Sequence, residues 1–199
     1  TGNLRVLSIL SNASATITEG EVLQLTAAQN LATTEETYIK VVRGKTAALF
    51  SAASEAGAVI AGVPERQVRA LHAYGDALGV CFQIVDDYLD YAGLADALGK
   101  NTGDDFRERK LTMPVIRAVA AADAEERAFW ERVIGRGKQE PGDLDRALDL
   151  LNHHGALEST RATAIDWAAR ARSSLSDLPE HPLREILADL SDYVVARVS

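Results

Sequence analysis

The residues of this chain that are best suited to chemistry lie in segment 82–90. It contains Gln83, Asp86, Asp87 and Asp90, spaced i, i+3, i+4 and i+7, so that a helix would present all four on one face. Carboxylates crowded on one face repel each other and are costly to bury unless a cation lies among them. This pattern predicts a site for Mg2+, held by carboxylates and completed by substrate phosphate oxygens. The alternative is a solvated cluster of surface acids.

A second candidate is the run Arg43-Gly44-Lys45-Thr46, which lies inside a helical pattern. It does not follow a strand, so it is not a Walker-type phosphate loop. A glycine inside a helix costs about 1 kcal/mol relative to alanine, which indicates a bend or a close approach. A bend would turn Lys45 and Thr46 inward, where the lysine can bind phosphate and the threonine can donate a hydroxyl. A surface lysine beside a packing glycine explains the motif equally well.

The third candidate is the polar, glycine-rich segment 98–110, which contains Lys100 and Lys110. Basic side chains opposite carboxylates that bind a cation are useful if a polyanion lies between them. The acids, Mg2+ and these lysines together would clamp a diphosphate. Taken alone, the segment reads as a charged, mobile loop.

Other chemically capable residues have simpler explanations. His153-His154 lies near a predicted helix end, which favours a helix-terminal or surface role over a metal pair. Cys81 lies in an apolar run and is expected to be an inert core thiol. Gln24 is polar within an apolar helix and is a candidate to face a cavity.

The elements that must position these residues are predicted to be helices throughout. Apolar residues recur at spacings of three and four, period-2 alternation is scarce, and the composition is rich in alanine. Thr33-Thr34-Glu35-Glu36 is typical of a helix start, and Pro64 and Pro114 suit a first turn. We predict an all-α domain over residues 1–199, with a loop at 93–110 and helices at 4–29, 35–62, 64–91, 114–122, 123–134, 143–152, 156–178 and 182–198.

The composition excludes several classes of protein. Hydrophobic residues make up 47% of the 199 residues, and the net charge of -8 argues against nucleic-acid binding. No apolar run reaches the roughly 18 residues of a transmembrane span. The single cysteine fits a reducing compartment, so we expect a cytoplasmic protein. The chain starts Thr1-Gly2-Asn3 and is already helical in pattern at Leu4, so we expect a cut or processed end.

Three stretches resemble the second aspartate-rich region of the trans-isoprenyl (polyprenyl) diphosphate synthases. They are Phe-Gln-Ile-Val-Asp-Asp-Tyr-Leu-Asp at 82–90, Leu-Gly-Lys-Asn-Thr-Gly-Asp-Asp at 98–105 and Lys-Leu-Thr-Met-Pro at 110–114. Segments 20–25 and 45–50 are similar to that family's preceding helices. The glycine-rich stretch is most like the bacterial long-chain, octaprenyl-type enzymes.

The resemblance implies a helical bundle around a central apolar cavity. It also implies a Mg2+-dependent transferase that condenses isopentenyl diphosphate with an allylic diphosphate. By resemblance, Asp86 would be the principal metal ligand, supported by Asp87 and Asp90. Lys45, Lys100 and Lys110 would bind the allylic diphosphate, Thr46 and Gln83 would steady the allylic cation, and Phe82 would line the isopentenyl side.

The chain departs from the family pattern in two places. Asp104 stands where the family has lysine, and Arg109 replaces a glycine in Arg-Glu-Gly-Lys. A larger departure is that the first aspartate motif lies upstream of Leu4 in the family, and nothing here replaces it. We therefore expect the C-terminal part of a larger synthase domain, lacking N-terminal helices and full activity on its own, and most simply a homodimer.

Two other classes remain open from the residues. A non-catalytic or partner-dependent subunit of a heteromeric prenyl synthase would receive its missing parts from another chain, although it would have no need to retain the acids. An unrelated helical protein with a surface acid cluster would gain no stability from Mg2+ and diphosphate.

Overall fold

The computed structural model describes residues 2–92 and 102–198, and within these ranges every regular element is a helix. The predicted all-α fold is confirmed. None of the helices in these two ranges combines the length and the apolar character needed to cross a bilayer. The helices are α1 (Leu4–Ala27), α2 (Glu35–Val42), α3 (Ala48–Ala61), α4 (Glu65–Tyr91), α5 (Asp104–Arg107), α6 (Met113–Ala121), α7 (Ala124–Trp130), α8 (Asp143–His153), α9 (Ala156–Ser174) and α10 (Pro182–Ala196).

Side-chain caps explain where several of the helices begin. The carboxamide oxygen of Asn3 accepts the N–H groups of Arg5 and Val6, and the hydroxyl of Thr34 accepts the N–H of Thr37. These contacts satisfy N–H groups that have no partner within the first helical turn. A reciprocal capping box between Asp123 and Glu126 starts α7.

Gly44, where a bend or a close approach is predicted, lies in a π-helical turn, Arg43–Ala47, between α2 and α3, and the close approach is confirmed. A Cβ atom at Gly44 would lie 2.8 Å from the Cα atom of Gly20, and one at Gly20 would lie 2.6 Å from the backbone nitrogen of Lys45. Only glycine at both positions lets α1 approach the turn this closely. The close approach therefore fixes the backbone that carries Lys45 and Thr46.

Helix α4 lies at the centre of the larger hydrophobic core. Its buried face packs against α9 and α10 and contacts the turn at Ala47. Gly79 allows that contact, because a Cβ atom there would lie 2.6 Å from the Cα atom of Ala47. Cys81 is buried on this face, as predicted, and burial raises the pKa of its thiol to about 12. The core thus holds α4, and with it the acidic residues, in a fixed rotation about its axis.

A second core forms where the end of α4 meets α6, α7 and α8. Its largest fully buried side chain is Trp130, which contacts Phe129 edge-on with ring centroids 5.1 Å apart. A second π-helical turn, Glu131–Gly135, follows Trp130 and contributes Val133 and Ile134 to the same core. Phe106 of α5 also belongs to this core, which therefore supports the turn that carries Asp104 and Asp105.

The prediction of a loop throughout 93–110 is wrong for Asp104–Arg107, which form the single turn of α5. Gly103 precedes the turn with φ of 84°, and the carboxylate of Asp90 accepts the N–H groups of Asp104 and Asp105 at 3.2 and 3.0 Å. A side chain from α4 therefore caps this turn. Residues 93–101, including Lys100, lie outside the part of the chain that the structure describes.

Candidate active site

A cavity of about 370 Å3 opens between α1, α2, α4 and segment 105–112. It brings together six of the residues that the sequence predicts for the site. These are Lys45, Thr46, Gln83, Asp86, Asp87 and Lys110. Gln24 also lines it, in agreement with the expectation for that residue. The apolar part of its lining consists of Leu25, Ala27, Ala28, Val41, Val42 and Leu111.

Asp87 is the buried centre of a hydrogen-bonded chain. Its Oδ2 accepts the hydroxyl of Tyr38 at 2.7 Å, and its Oδ1 accepts Nε2–H of Gln83 at 2.7 Å. The hydroxyl of Thr46 in turn donates to Oε1 of Gln83 at 2.9 Å. The predicted pair of Thr46 and Gln83 is therefore in direct contact, and both are tied to the acidic stripe.

The acids of the cavity are electrostatically strained. Burial, together with the negative charges of Asp105 and Asp86, raises the pKa of Asp87 to about 7, although the hydrogen bonds from Tyr38 and Gln83 act to lower it. Burial also raises the pKa of Asp105, whereas Lys110 lowers it. These groups are all oxygen donors, which suit a hard divalent cation such as Mg2+. A cation among Asp86, Asp87 and Asp105 would relieve their mutual repulsion.

Two lysines face the same cavity. Nζ of Lys45 donates to Oε1 of Gln24 at 2.8 Å and lies 3.3 Å from Oε1 of Glu21. Nζ of Lys110 lies 2.9 Å from Oδ1 of Asp105 and 2.7 Å from Oε2 of Glu108. Partial burial lowers the pKa of Lys110, but these two acids outweigh it and hold the pKa above its usual value. The ammonium group of Lys110 therefore stays charged beside the acids.

Two of the predicted site residues that the structure describes, Asp90 and Phe82, do not line the cavity. The carboxylate of Asp90 binds the start of α5, so the structure gives it a role in positioning that turn. Phe82 lies against Phe50, with ring centroids 5.6 Å apart, and about a third of it is exposed. Lys100 is outside the described ranges.

Sequence reasoning missed Tyr38 and Asp105 as site residues. Tyr38 fits the apolar period of α2 and is 6% exposed, so nothing in the pattern separates it from a core residue. Asp105 lies within the motif at 98–105, but as one acid in a charged segment. Its proximity to Lys110, five residues later, is the signal that could have indicated a shared site.

A second groove of about 530 Å3 runs between α1 and α3. Four of its side chains form two pairs: Arg43 with Asp76 at 2.9 Å and His72 with Glu55 at 2.9 Å. The side chains in these pairs already have each other as partners, so this groove is not a candidate active site.

The structure is that of an all-helical protein with acids and lysines around one cavity. Comparison with family models identifies the family. Residues 1–151 match the model of the polyprenyl synthetase family. The chain therefore belongs to that family.

Individual relatives agree with this assignment. The octaprenyl diphosphate synthase of Escherichia coli is 39% identical over 196 residues, which are 98% of this chain and 60% of that protein. The crystal structure of a decaprenyl diphosphate synthase from Rhodobacter capsulatus has 67% identity and a TM-score of 0.95, covering 100% of this chain and 61% of that one. The polyprenyl synthase of Caulobacter crescentus, solved with calcium and isoprenyl diphosphate, has 46% identity and a TM-score of 0.93 over 99% of this chain and 60% of its own. The chain thus spans about 60% of the length of these relatives.

Proposed function

We propose that this chain binds an allylic diphosphate through Mg2+ and takes part in its condensation with isopentenyl diphosphate to give a polyprenyl diphosphate. The observation that carries the proposal is the meeting of Asp86 and Asp87 with Lys45 and Lys110 around one cavity. The calcium and isoprenyl diphosphate bound by the Caulobacter crescentus relative support the same pairing of divalent cation and diphosphate. The retained acids favour a catalytic role over a non-catalytic subunit.

Asp86, Asp87 and Asp105 would hold Mg2+, with Asp86 as the principal ligand. When bound, the ion neutralises the diphosphate and stabilises the charge that develops on it as it leaves. Lys45 and Lys110 would exchange their acidic partners for diphosphate oxygens, which accept charge-assisted hydrogen bonds.

The rest of the cavity would protect the carbocation left behind. The oxygens of Thr46 and Gln83 are 2.9 Å apart and present lone pairs to an allylic cation. The apolar side of the cavity, from α1 and α2, would exclude water, which otherwise captures the cation.

Several finer assignments belong to the same proposal. Lys100 would add a third basic contact to the diphosphate, Phe82 would line the isopentenyl side, and Asp90 would act through the turn of α5.

We also infer a cytoplasmic protein that forms a homodimer. Leu4 and Leu7 are 81% and 63% exposed on α1, and apolar side chains of this kind favour association. Sedimentation velocity tests the dimer, and a monomer at every concentration would exclude it.

The test of catalysis is the conversion of labelled isopentenyl diphosphate and an allylic diphosphate to longer products by the protein that carries this chain. We expect Lys45→Gln to slow product formation by about 100-fold, the scale on which loss of one preorganised charge slows an enzyme. Lys40→Gln is the matched control, because Lys40 is exposed and pairs with Glu36. Equal activity of the two variants would refute the role of Lys45.

A further inference from the structure

Three potential metal ligands meet where α7 begins and α8 ends. They are Glu126, His153 and His154, and one ligand atom from each lies within 4.8 Å of the others. Nε2 of His154 is 2.8 Å from Oε2 of Glu126, and the two imidazole rings are 4.9 Å apart between centroids. This cluster shares no residue with the candidate active site.

The backbone holds two of the three ligands in place. Glu126 belongs to the capping box of α7, where its Oε2 accepts the N–H of Asp123 at 3.0 Å. His154 caps the end of α8, and its backbone N–H donates to the carbonyl of Leu150 at 3.1 Å. The side chains of Glu126 and His154 are each 15% exposed, whereas His153 is exposed. An ion from solvent would therefore meet two largely prearranged ligands and one exposed ligand.

The local charge also favours a cation. Helix α8 has 11 residues, and the negative end of its dipole lies at His153. The carboxylate of Asp123 lies next to Glu126 in the capping box and adds further negative potential.

From this geometry we propose that Glu126, His153 and His154 form a site for a divalent transition-metal ion of the Zn2+ type. Two imidazole nitrogens and one carboxylate oxygen, with water in the fourth position, are a recognised ligand set for zinc. Bonds of about 2 Å in tetrahedral geometry place ligand atoms about 3.3 Å apart, which small side-chain rotations would reach from the observed positions. Imidazole suits Zn2+ better than Mg2+, so the acidic cavity and this site would select different metals.

Such an ion would tie the start of α7 to the end of α8. Both helices contribute to the second core, through Phe129 and Leu151. Binding to the folded chain alone would therefore stabilise this core. The simpler alternative is that His154 and Glu126 only form a hydrogen-bonded pair, to which His153 adds nothing.

Co2+ absorption and Zn2+ titration distinguish a metal site from a simple hydrogen-bonded pair. The full chain is titrated in excess Mg2+, and again in an Asp86→Asn background, so that the acidic cavity does not contribute. We expect the intense visible bands of tetrahedral Co2+, their displacement by one equivalent of Zn2+, and a rise in melting temperature with Zn2+.

Substitution of the exposed ligand tests the assignment without breaking the contact between the helices. We expect His153→Ala to weaken Zn2+ binding by at least about 10-fold and to remove the Co2+ bands. His72→Ala is the matched control, because His72 forms a pair with Glu55 at 2.9 Å in the described structure. Absence of the bands in the wild type, their persistence in His153→Ala, or an equal loss in His72→Ala would overturn the proposal.

Discussion

Asp87 is a buried carboxylate with two donors, Tyr38 and Gln83, and the negative charges of two other acids act on it. Burial and like charge disfavour its ionised form, whereas a metal ligand must be ionised. The metal-free site therefore costs free energy that a bound cation would recover. Groups arranged in this way are typical of functional sites.

At this scale we predict that Tyr38→Phe destabilises the metal-free protein. Its hydroxyl is the donor to Oδ2 of Asp87, and a buried acceptor atom that loses its donor costs about 1–3 kcal/mol. Urea unfolding in EDTA at a pH above 7 measures the change. In the double variant with Asp87→Asn the penalty should shrink, because a neutral acceptor needs the donor less. Tyr193→Phe, at a 68% exposed position, is the control. An equal loss in both tyrosine variants would contradict this account of Tyr38.

The sequence predicted some of these residues and not others for a physical reason. Gln83, Asp86 and Asp87 share a helix face by spacing alone, so their grouping follows from the period of α4. Tyr38 meets Asp87 across 49 positions, and that contact depends on how α2 packs against α4. Spacing along one helix contains no information about such a contact.

Among the elements, the π-helical turn at Arg43–Ala47 and its contact with α1 decide where Lys45 and Thr46 lie. We predict that Gly44→Ala lowers the free energy of unfolding by about 1–3 kcal/mol, because its Cβ atom would overlap Gly20.

Gly57→Ala is the matched control for that substitution. Gly57 lies inside α3, and a Cβ atom there meets nothing within 4 Å. It should raise stability by up to about 1 kcal/mol, from helix propensity. Denaturant unfolding compares the two, and a loss of stability in both would mean that the close approach of Gly44 to Gly20 is not the cause.

A second prediction at the scale of the helices concerns how the stability of the fold depends on pH. Asp143, at the start of α8, makes two contacts of 2.6 and 2.8 Å with Arg132 and accepts the N–H of Glu140. The hydrogen bond from Arg132 holds the pKa of Asp143 below its usual value. A lowered carboxyl pKa stabilises the fold above the unfolded value of about 3.9, and this contribution is lost as the pH falls through the folded value.

The Asp143→Asn variant should therefore be less stable than wild type near neutral pH. The difference should narrow as the pH falls below about 4. Urea unfolding across this range measures it. Glu131→Gln, which removes a surface pair with Arg136 at 3.4 Å, should change little. A difference between wild type and Asp143→Asn that does not vary with pH would contradict the assignment.

The helices themselves were largely predictable. Caps such as Thr34 and the periodicity of α4 are local signals, and the structure agrees with them. The turn of α5 was not predictable, because its cap is Asp90, which lies 14 residues before Asp104. The bend at Gly44 was predicted, but its π-helical form depends on the contact with Gly20.

For the whole molecule, the fold and the family were both accessible from the sequence. Helical periodicity gave the all-α class, and the motifs at 82–90 and 98–105 gave the resemblance that the family match over residues 1–151 confirms. The pattern did not reveal which apolar residues stay exposed. Leu4, Leu7 and Leu25 are exposed on α1 although their spacing is that of a buried face. Exposure depends on neighbours that periodicity does not specify.

The central claim is that Asp86 and Asp87 bind a diphosphate through a divalent cation. Calorimetric titration of this chain with an allylic diphosphate, in Mg2+ and in EDTA, tests it most directly. We predict binding only in Mg2+, and at least about 10-fold weaker binding in Asp86→Asn/Asp87→Asn. Asp192→Asn, at an exposed pair with Arg172, should bind like wild type. Diphosphate binding that is equally strong in EDTA, or unchanged in the double variant, would contradict the account.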